Sequence, residues 1–270
     1  MHSERQARIA QLVKDERVKH IQLWFTDILG NLKMVEIPER QLASVLQSGA
    51  PFDGSSITGY AEIEESDIVA MPDWDTFKLL PWSSGNEKTA FVFCDILGRD
   101  FAPFEGDPRW VLRRQLDRAA AMGLDFYVGP ELEYFYFKSP DKPEAIDEGG
   151  YFDVLPDDLG NDLRKQTMRA LDKLGIPMEA SHHEVAPSQH EIDPHYDKAL
   201  VMADRVMVTR LIVKEVAAHN GVHATFMPKP VYGHAGSGMH VHQSLFRGSD
   251  NAFFSNDDPN HLSEIAQGFI

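Results

Sequence analysis

One cysteine stands in 270 residues, Cys94. A lone thiol makes no internal disulfide, so the chain is not a disulfide-stapled scaffold, and a reducing compartment is the simpler reading. Long apolar runs are missing too. A spanning helix needs roughly 18 or more continuous apolar residues, and none is present. The opening MHSERQARIAQLVKDERVKH is polar and mixed in charge, unlike a secretory leader. Cations are scarce: 26 Lys and Arg face 42 Asp and Glu, a formal charge of −16. Such a chain repels a phosphate backbone, which argues against a nucleic-acid partner. It can still take ATP if metal ions bridge the two. There is no internal repeat and no low-complexity tract. What remains is an ordinary globular balance, 43% hydrophobic and 25% charged. Its length suits one large domain or two modest ones.

Helical spacing marks Glu4–Val13, and Val18–Thr26 and Leu32–Ile37 read as strands around a turn at Asp27–Asn31. A short helix is expected from Pro38, with proline in its first turn. Gly49–Tyr60, rich in Gly and Ser, reads as a loop. Strands are expected near Thr76–Leu80 and Thr89–Ile96, and a boundary near Phe104. Asp107-Pro108 then caps and starts a helix. A strand over Leu124–Phe137 is expected to break at Gly129-Pro130. Helices follow at Leu159–Leu174 and Asp197–His219, and strands at Pro177–Val185, Gln189–Asp193, around Thr225 and at Met239–Leu245. Asp258-Pro259 repeats the cap-and-proline start. The last helix would end on Phe269-Ile270 without a glycine cap, so the chain reads as a fragment of a longer protein.

Three clusters carry chemistry. Glu131 and Glu133 share one face of a strand, because side chains alternate. Like charges beside Leu132, Tyr134 and Phe135 call for a cation. A second cluster, EASHHEVAPSQHEID (Glu179–Asp193), holds Glu179, Glu184 and Glu191. A turn at Val185–Ser188 lets Glu184 and Glu191 converge from adjacent strands. Oxygen donors in this number suit magnesium or manganese, and zinc is weaker without thiolates or HExxH spacing. His182, His183 and His190 are each read as hydrogen-bonded neighbours rather than ligands. In the third cluster, GHAGSGMHVHQS (Gly233–Ser244), His240 and His242 share a strand face, and Gly236 and Gly238 allow close backbone approach.

Six ordered motifs then become recognisable: WFTDILGNLK (Trp24–Lys33), FDGSSITGY (Phe52–Tyr60), GPELEYF (Gly129–Phe135), HHEVAPSQHEID (His182–Asp193), FMPKP (Phe226–Pro230) and GSGMHVHQS (Gly236–Ser244). The chain resembles glutamine synthetase of the bacterial class I type over essentially its whole length. The resemblance implies an α+β fold: an N-terminal β-grasp domain over 1–104 and, over 105–270, the first part of a catalytic domain with an antiparallel sheet and flanking helices. It implies an ATP-dependent ligase that phosphorylates glutamate and lets ammonia displace the phosphate. Glu133, Glu184 and Glu191 match the ligands of a first Mg2+ or Mn2+, and Glu131 and His240 those of a second. Glu179, Tyr196, His242 and Ser244 match nucleotide contacts. Gly236 matches a backbone contact to glutamate, and Asp53 the residue that binds and deprotonates ammonium, although Asp53-Gly54 would equally serve an ordinary turn. The implied partners are small molecules and further copies of the chain, in a cytoplasmic double-ring dodecamer with active sites between subunits.

Two departures from the family pattern bear on substrate and activity. Ala235 stands where the family offers an Asn to the substrate's amino-acid end, and a lost bond to a charged group costs roughly 1.5–3 kcal/mol. A larger amine acceptor is the alternative substrate. The family's further Glu ligand, phosphate-binding arginines and shielding flap would lie past Ile270. The expectation is therefore a 270-residue chain inactive by itself, the full protein being the ligase; a non-catalytic homologue is the rival.

Overall fold

The structure, a computed structural model, describes residues 2–57 and 67–270. The chain divides into two units, Met1–Asp117 and Arg118–Ile270. In the first, helix α1 (His2–Asp15) precedes β1 (Val18–Thr26) and β2 (Leu32–Pro38). Asp27 makes the turn between those strands. Its Oδ1 accepts from the backbone N–H of Leu29 and Asn31, both at 2.9 Å. Then come α2 (Leu42–Ser48), β3 (Ala50–Asp53), β4 (Asp67–Pro72), β5 (Lys78–Leu79) and β6 (Lys88–Leu97). Among the described residues the sheet runs β2-β1-β6-β4-β3, with β5 also on β6. β1 and β6 pair in parallel, and the other pairs are antiparallel. Ile9, Val13, Ile21, Leu23, Val45, Val92 and Ile96 fill the core between this sheet and α1 and α2.

Three expectations change here. Pro38 ends β2 and precedes a 3-10 turn, Glu39–Gln41, so the helix begins only at Leu42. Within the expected Gly49–Tyr60 loop, Ala50–Asp53 is a strand, because Asp53 pairs with Asp67 and Ala50 with Ala70. Gly49 turns the chain into it at φ +69°; an added Cβ would meet the Ala70 carbonyl oxygen at 2.8 Å. The end of that segment, 58–60, lies outside the described residues. The strand over Thr76–Leu80 shrinks to Lys78–Leu79 behind a 3-10 turn at Trp74–Thr76. Helix α3 (Pro108–Ala121) starts where Asp107 Oδ1 accepts the Arg109 N–H at 3.0 Å, as the cap-and-proline signal requires.

The second unit is built on β7 (Asp125–Phe137). After it come α4 (Leu159–Lys173), β8 (Met178–His183), β9 (Gln189–Pro194), β10 (Asp197–Lys198), α5 (Ala199–His219), β11 (His223–Thr225), β12 (Met239–Arg247), β13 (Asp250–Asn251) and α6 (Glu264–Phe269). Among the described residues the order is β13-β12-β7-β9-β8, all antiparallel, with β10 and β11 also on β7. The α+β expectation holds. β7 does not break at Gly129-Pro130: Pro130 lies opposite Val241 and the pairing runs on through it. Asp258-Pro259 starts a turn rather than a helix. Asp258 Oδ1 accepts from Asn260 and Leu262 N–H groups, and Ser263 caps α6 instead. The back of the sheet presents Tyr134, Tyr136, His183, His190 and Ile192, all buried. Leu163 and Leu171 of α4 and Ile212 of α5 are buried as well. No described helix is long and apolar enough to cross a membrane.

Candidate metal centre and adjoining cleft

The front of the same sheet follows from period-two alternation. Glu131 and Glu133 point forward from β7. Glu191 of β9 lies directly opposite Glu133, and His182 of β8 directly opposite Glu191. His240 of β12 lies directly opposite Glu131. One row of front-facing side chains is thus Glu133–Glu191–His182, and the next holds His240 and Glu131. Facing residues in such a ladder have Cβ atoms roughly 4.5–5.5 Å apart. Glu184 sits one residue past β8, in the turn rather than on the expected strand. Its N–H donates to the Gln189 carbonyl at 2.8 Å. It still converges: ligand atoms of His182, Glu184 and Glu191 lie within 4.8 Å of one another.

Burial makes this crowding costly. Glu133, Glu184 and Glu191 are 9%, 8% and 6% exposed. The ion-pair partners of the front carboxylates are histidines. His182 Nε2 is 3.1 Å from Glu191 Oε1, His240 Nδ1 3.0 Å from Glu131 Oε2, and His242 Nε2 2.7 Å from Glu131 Oε1. Among the described residues no Lys or Arg pairs with any of the four glutamates. Burial, then the neighbouring Asp193 carboxylate, pushes Glu191 up to about 7. Burial, with Glu131 and Glu179 adding to it, pushes Asp193 up to about 6. Glu131 moves the other way, because His242 and then His240 hydrogen-bond its charged form. A cation among hard oxygen donors would relieve the repulsion, so the donor set fits a divalent ion of the magnesium or manganese class.

One contributor gave no signal in the sequence reading. Gln189 is fully buried, and its amide donates to Glu133 Oε2 and to the Gly236 carbonyl, each at 2.9 Å. Gly236 must be glycine: an added Cβ would meet the Pro228 carbonyl oxygen at 2.3 Å, which packs the GSG turn on the FMPKP segment. Gly238 is as constrained, since a Cβ there would stand 2.9 Å from Glu133 Oε1. Ala235 packs with Val231 against the buried cluster of Phe135, Phe137 and Ala186. The residue at the position of the expected amide is therefore part of an apolar contact.

A cleft of about 590 Å³ opens beside Glu131. It brings together Glu179, Tyr196, His242 and Ser244, four residues far apart in the chain. Glu179 reaches it from a bulge in β8, where the register with β9 slips between Met178 and Ala180. Tyr127, whose ring centroid lies 6.1 Å from that of Tyr196 and 5.0 Å from that of Phe246, gives the cleft an aromatic wall. Ser244 Oγ donates to Asn251 Oδ1 at 3.1 Å. The volume falls in the range of small-molecule sites, roughly 300–1,000 Å³. Asp53 belongs to the other unit. Its Oδ1 accepts the Ser55 N–H at 2.8 Å, the Asp-Gly turn geometry.

Comparison with known proteins adds the following. Residues 17–99 match the family described as "Glutamine synthetase, beta-Grasp domain", and residues 105–270 match "Glutamine synthetase, catalytic domain". The chain is 48% identical over 266 residues to a glutamine synthetase of Thermotoga maritima, covering 97% of this chain and 61% of that protein. It is 49% identical over 268 residues to one of Mycolicibacterium smegmatis, covering 97% and 60%. Among solved structures it resembles Plasmodium falciparum glutamine synthetase with a TM-score of 0.88 at 26% identity, over 97% of this chain and 58% of that one. It resembles a structure described as "GmaS/ADP complex-Conformation 1" with a TM-score of 0.86 at 29% identity, over 96% and 60%. The chain spans about 60% of the length of these curated relatives.

Proposed function

The chain belongs to the glutamine synthetase family, and from that premise we propose that it carries the cation- and nucleotide-binding part of an ATP-dependent ligase. Phosphate passes from ATP to the γ-carboxylate of glutamate, and ammonia then displaces it to give glutamine. One observation carries the reading: Glu131, Glu133, Glu184 and Glu191 crowd one sheet face beside a cleft of nucleotide size.

Glu133, Glu184 and Glu191 would hold one Mg2+ or Mn2+, and Glu131 and His240 a second. Bound there, the ions supply charge compensation for the γ-phosphate and for the carboxylate it meets. The chain's own side chains orient the reactants. Tyr196 and Tyr127 offer flat rings to a nucleotide base, and Glu179, His242 and Ser244 offer polar groups along the same cleft. That a similar structure is described as an ADP complex supports nucleotide binding in general. Gly236 offers its backbone to glutamate, and its carbonyl is held by Gln189. The Asp53 carboxylate is suited to take a proton from ammonium, with Asp53 reaching the site of a neighbouring copy. The same reading places a domain boundary at 104–105, a homo-oligomer in the form of a double-ring dodecamer, and the cytoplasm as the compartment.

Calorimetric titration of the chain with ADP, in Mn2+ and again in EDTA, tests the binding half. ADP should bind at least roughly tenfold more weakly without the ion, about 1.4 kcal/mol. Glu131→Gln and Glu191→Gln should remove the dependence on Mn2+. In the protein that carries this chain, phosphate release from ATP should require glutamate and ammonium together. ADP affinity indifferent to Mn2+ and to both substitutions would sink the reading, and release driven by larger amines but not ammonium would overturn the choice of acceptor.

A further inference from the structure

Behind the front carboxylates, on the other side of the same hairpin, stands a second cluster. Polar atoms of Asp147, His183 and His190 lie within 4.8 Å of one another, and both histidines are buried. Backbone is pressed against them. A Cβ added to Gly149 would stand 2.6 Å from His183 Nε2, and one added to Gly160 would stand 2.4 Å from His190 Cε1.

The hydrogen bonds argue against a metal in this second cluster. Arg164 Nη1 lies 2.6 Å from His190 Nδ1. A guanidinium has donors only, so Nδ1 accepts and the ring proton sits on Nε2, leaving no lone pair there for a cation. His183 has acceptors on both sides, Asp147 Oδ1 at 2.8 Å from Nε2 and the Glu184 carbonyl at 2.7 Å from Nδ1. Both of its nitrogens donate. The ring is a strut between a carboxylate and the backbone of a front-face glutamate.

We propose that Asp147, acting through His183, is a positioning residue for Glu184; the proposal rests on the reading of Glu184 as a cation ligand. The strut has a fixed base. Asp147 Oδ1 also accepts the Ser188 N–H at 2.9 Å and the Gly149 N–H at 3.1 Å. Ser188 Oγ in turn accepts from the N–H groups of Ile146, at 2.6 Å, and Asp147, at 3.2 Å. At the far end Glu184 is gripped at both backbone groups, its carbonyl by His183 and its N–H by the Gln189 carbonyl. Its side chain, steadied by the Val185 N–H at 2.9 Å, is left facing Glu191 and His182. Releasing the carbonyl frees the Glu184 peptide to rotate and swings the carboxylate off the cluster. Partners that hold a ligating carboxylate act on metal affinity in this way.

The test separates the two ends of the strut. Asn places an amide nitrogen where His183 Nδ1 lies and keeps the donor to the Glu184 carbonyl. Gln places one where Nε2 lies and keeps only the donor to Asp147. Mn2+ uptake by the purified chain is followed by electron paramagnetic resonance for wild type, His183→Asn, His183→Gln and Asp147→Ala, with melting temperatures alongside. His183→Gln, which removes the donor to the Glu184 carbonyl, should lose about 10–100-fold in Mn2+ affinity. His183→Asn and Asp147→Ala, which keep a donor there but lose its base, should each lose measurably but clearly less, even where their melting temperatures fall as far. Equal losses in the Asn and Gln variants, or losses that simply follow melting temperature, overturn the proposal. Wild type that binds Mn2+ beside a His183→Gln variant that binds it equally well defeats this inference alone. Wild type that takes up no Mn2+ defeats the cation-site reading and the inference with it.

Discussion

Gln189 has no exposed surface, and its amide serves three partners. It donates to Glu133 Oε2 and the Gly236 carbonyl, and its own oxygen accepts the Ala186 N–H at 3.0 Å. Leucine fills a similar volume and satisfies none of them. Each buried group left without a partner costs about 1–3 kcal/mol. Gln189→Leu should therefore lower unfolding free energy by at least that much in urea, and should weaken Mn2+ binding because Glu133 loses the donor that aims it. Unchanged urea and Mn2+ midpoints would show that the amide holds nothing. The sequence reading passed over this residue for a physical reason. Glu131, Glu133, Glu184, Glu191 and His240 announce themselves because charge or imidazole in an apolar strand is expensive. A neutral amide is cheap in sequence, and its importance comes only from what three separate segments place around it. Ala235 was legible as a departure, but its contact with Phe135 and Phe137 was not.

Elements were legible where one local signal decides them, and illegible where pairing does. Val18–Thr26 and the Asp107-Pro108 helix start follow from alternation and capping. Gly129-Pro130 reads as a break, yet β12 pairs with β7 without interruption from Asp125 to Leu132 and carries it straight through. The bulge at Glu179 has no sequence mark at all, and it brings that side chain to the cleft. Asp258 and Ser263 both carry a capping oxygen; the helix starts at the second because the first is spent on a turn. The loop from β7 to α4 depends likewise on a distant hairpin, through Asp147. Burial opposes the charge of Asp147, but hydrogen bonds from His183 and the Ser188 backbone, with His190 alongside, outweigh it and hold the carboxyl well below the usual range. The folded state thus binds this proton less readily than the unfolded chain, whose carboxyl titrates near pH 3.9, roughly the reference value. The stabilisation is present above about pH 4 and is lost as pH falls below it. Asp147→Asn should be less stable than wild type at neutral pH, and the difference in urea midpoint should shrink below about pH 4. A gap that stays constant from neutral pH down to strongly acid pH would show that the charge contributes nothing.

A formal charge of −16 makes the whole molecule attractive to any dication, so stabilisation by Mn2+ alone does not identify a site. Location does. Glu131, Glu133, Glu184, Glu191 and His240, like Glu179, Tyr196, His242 and Ser244 of the cleft, all fall within Arg118–Ile270, whereas diffuse screening would act on acidic surface in both units. A ligand present at about 100 times its dissociation constant stabilises what it binds by about 2.7 kcal/mol, close to a hundredfold in the population of open forms. Amide exchange in Mn2+ and ADP should therefore slow by up to about that factor in β7, β9 and β12, where the proposed ligands are paired across strands. β1, β2 and β6 of the other unit should exchange at their former rates. Slowing spread evenly over both sheets would mean that the ion only screens an acidic chain. Slowing confined to the second sheet, and abolished by Glu191→Gln, would mean that four crowded carboxylates are held ready for a cation.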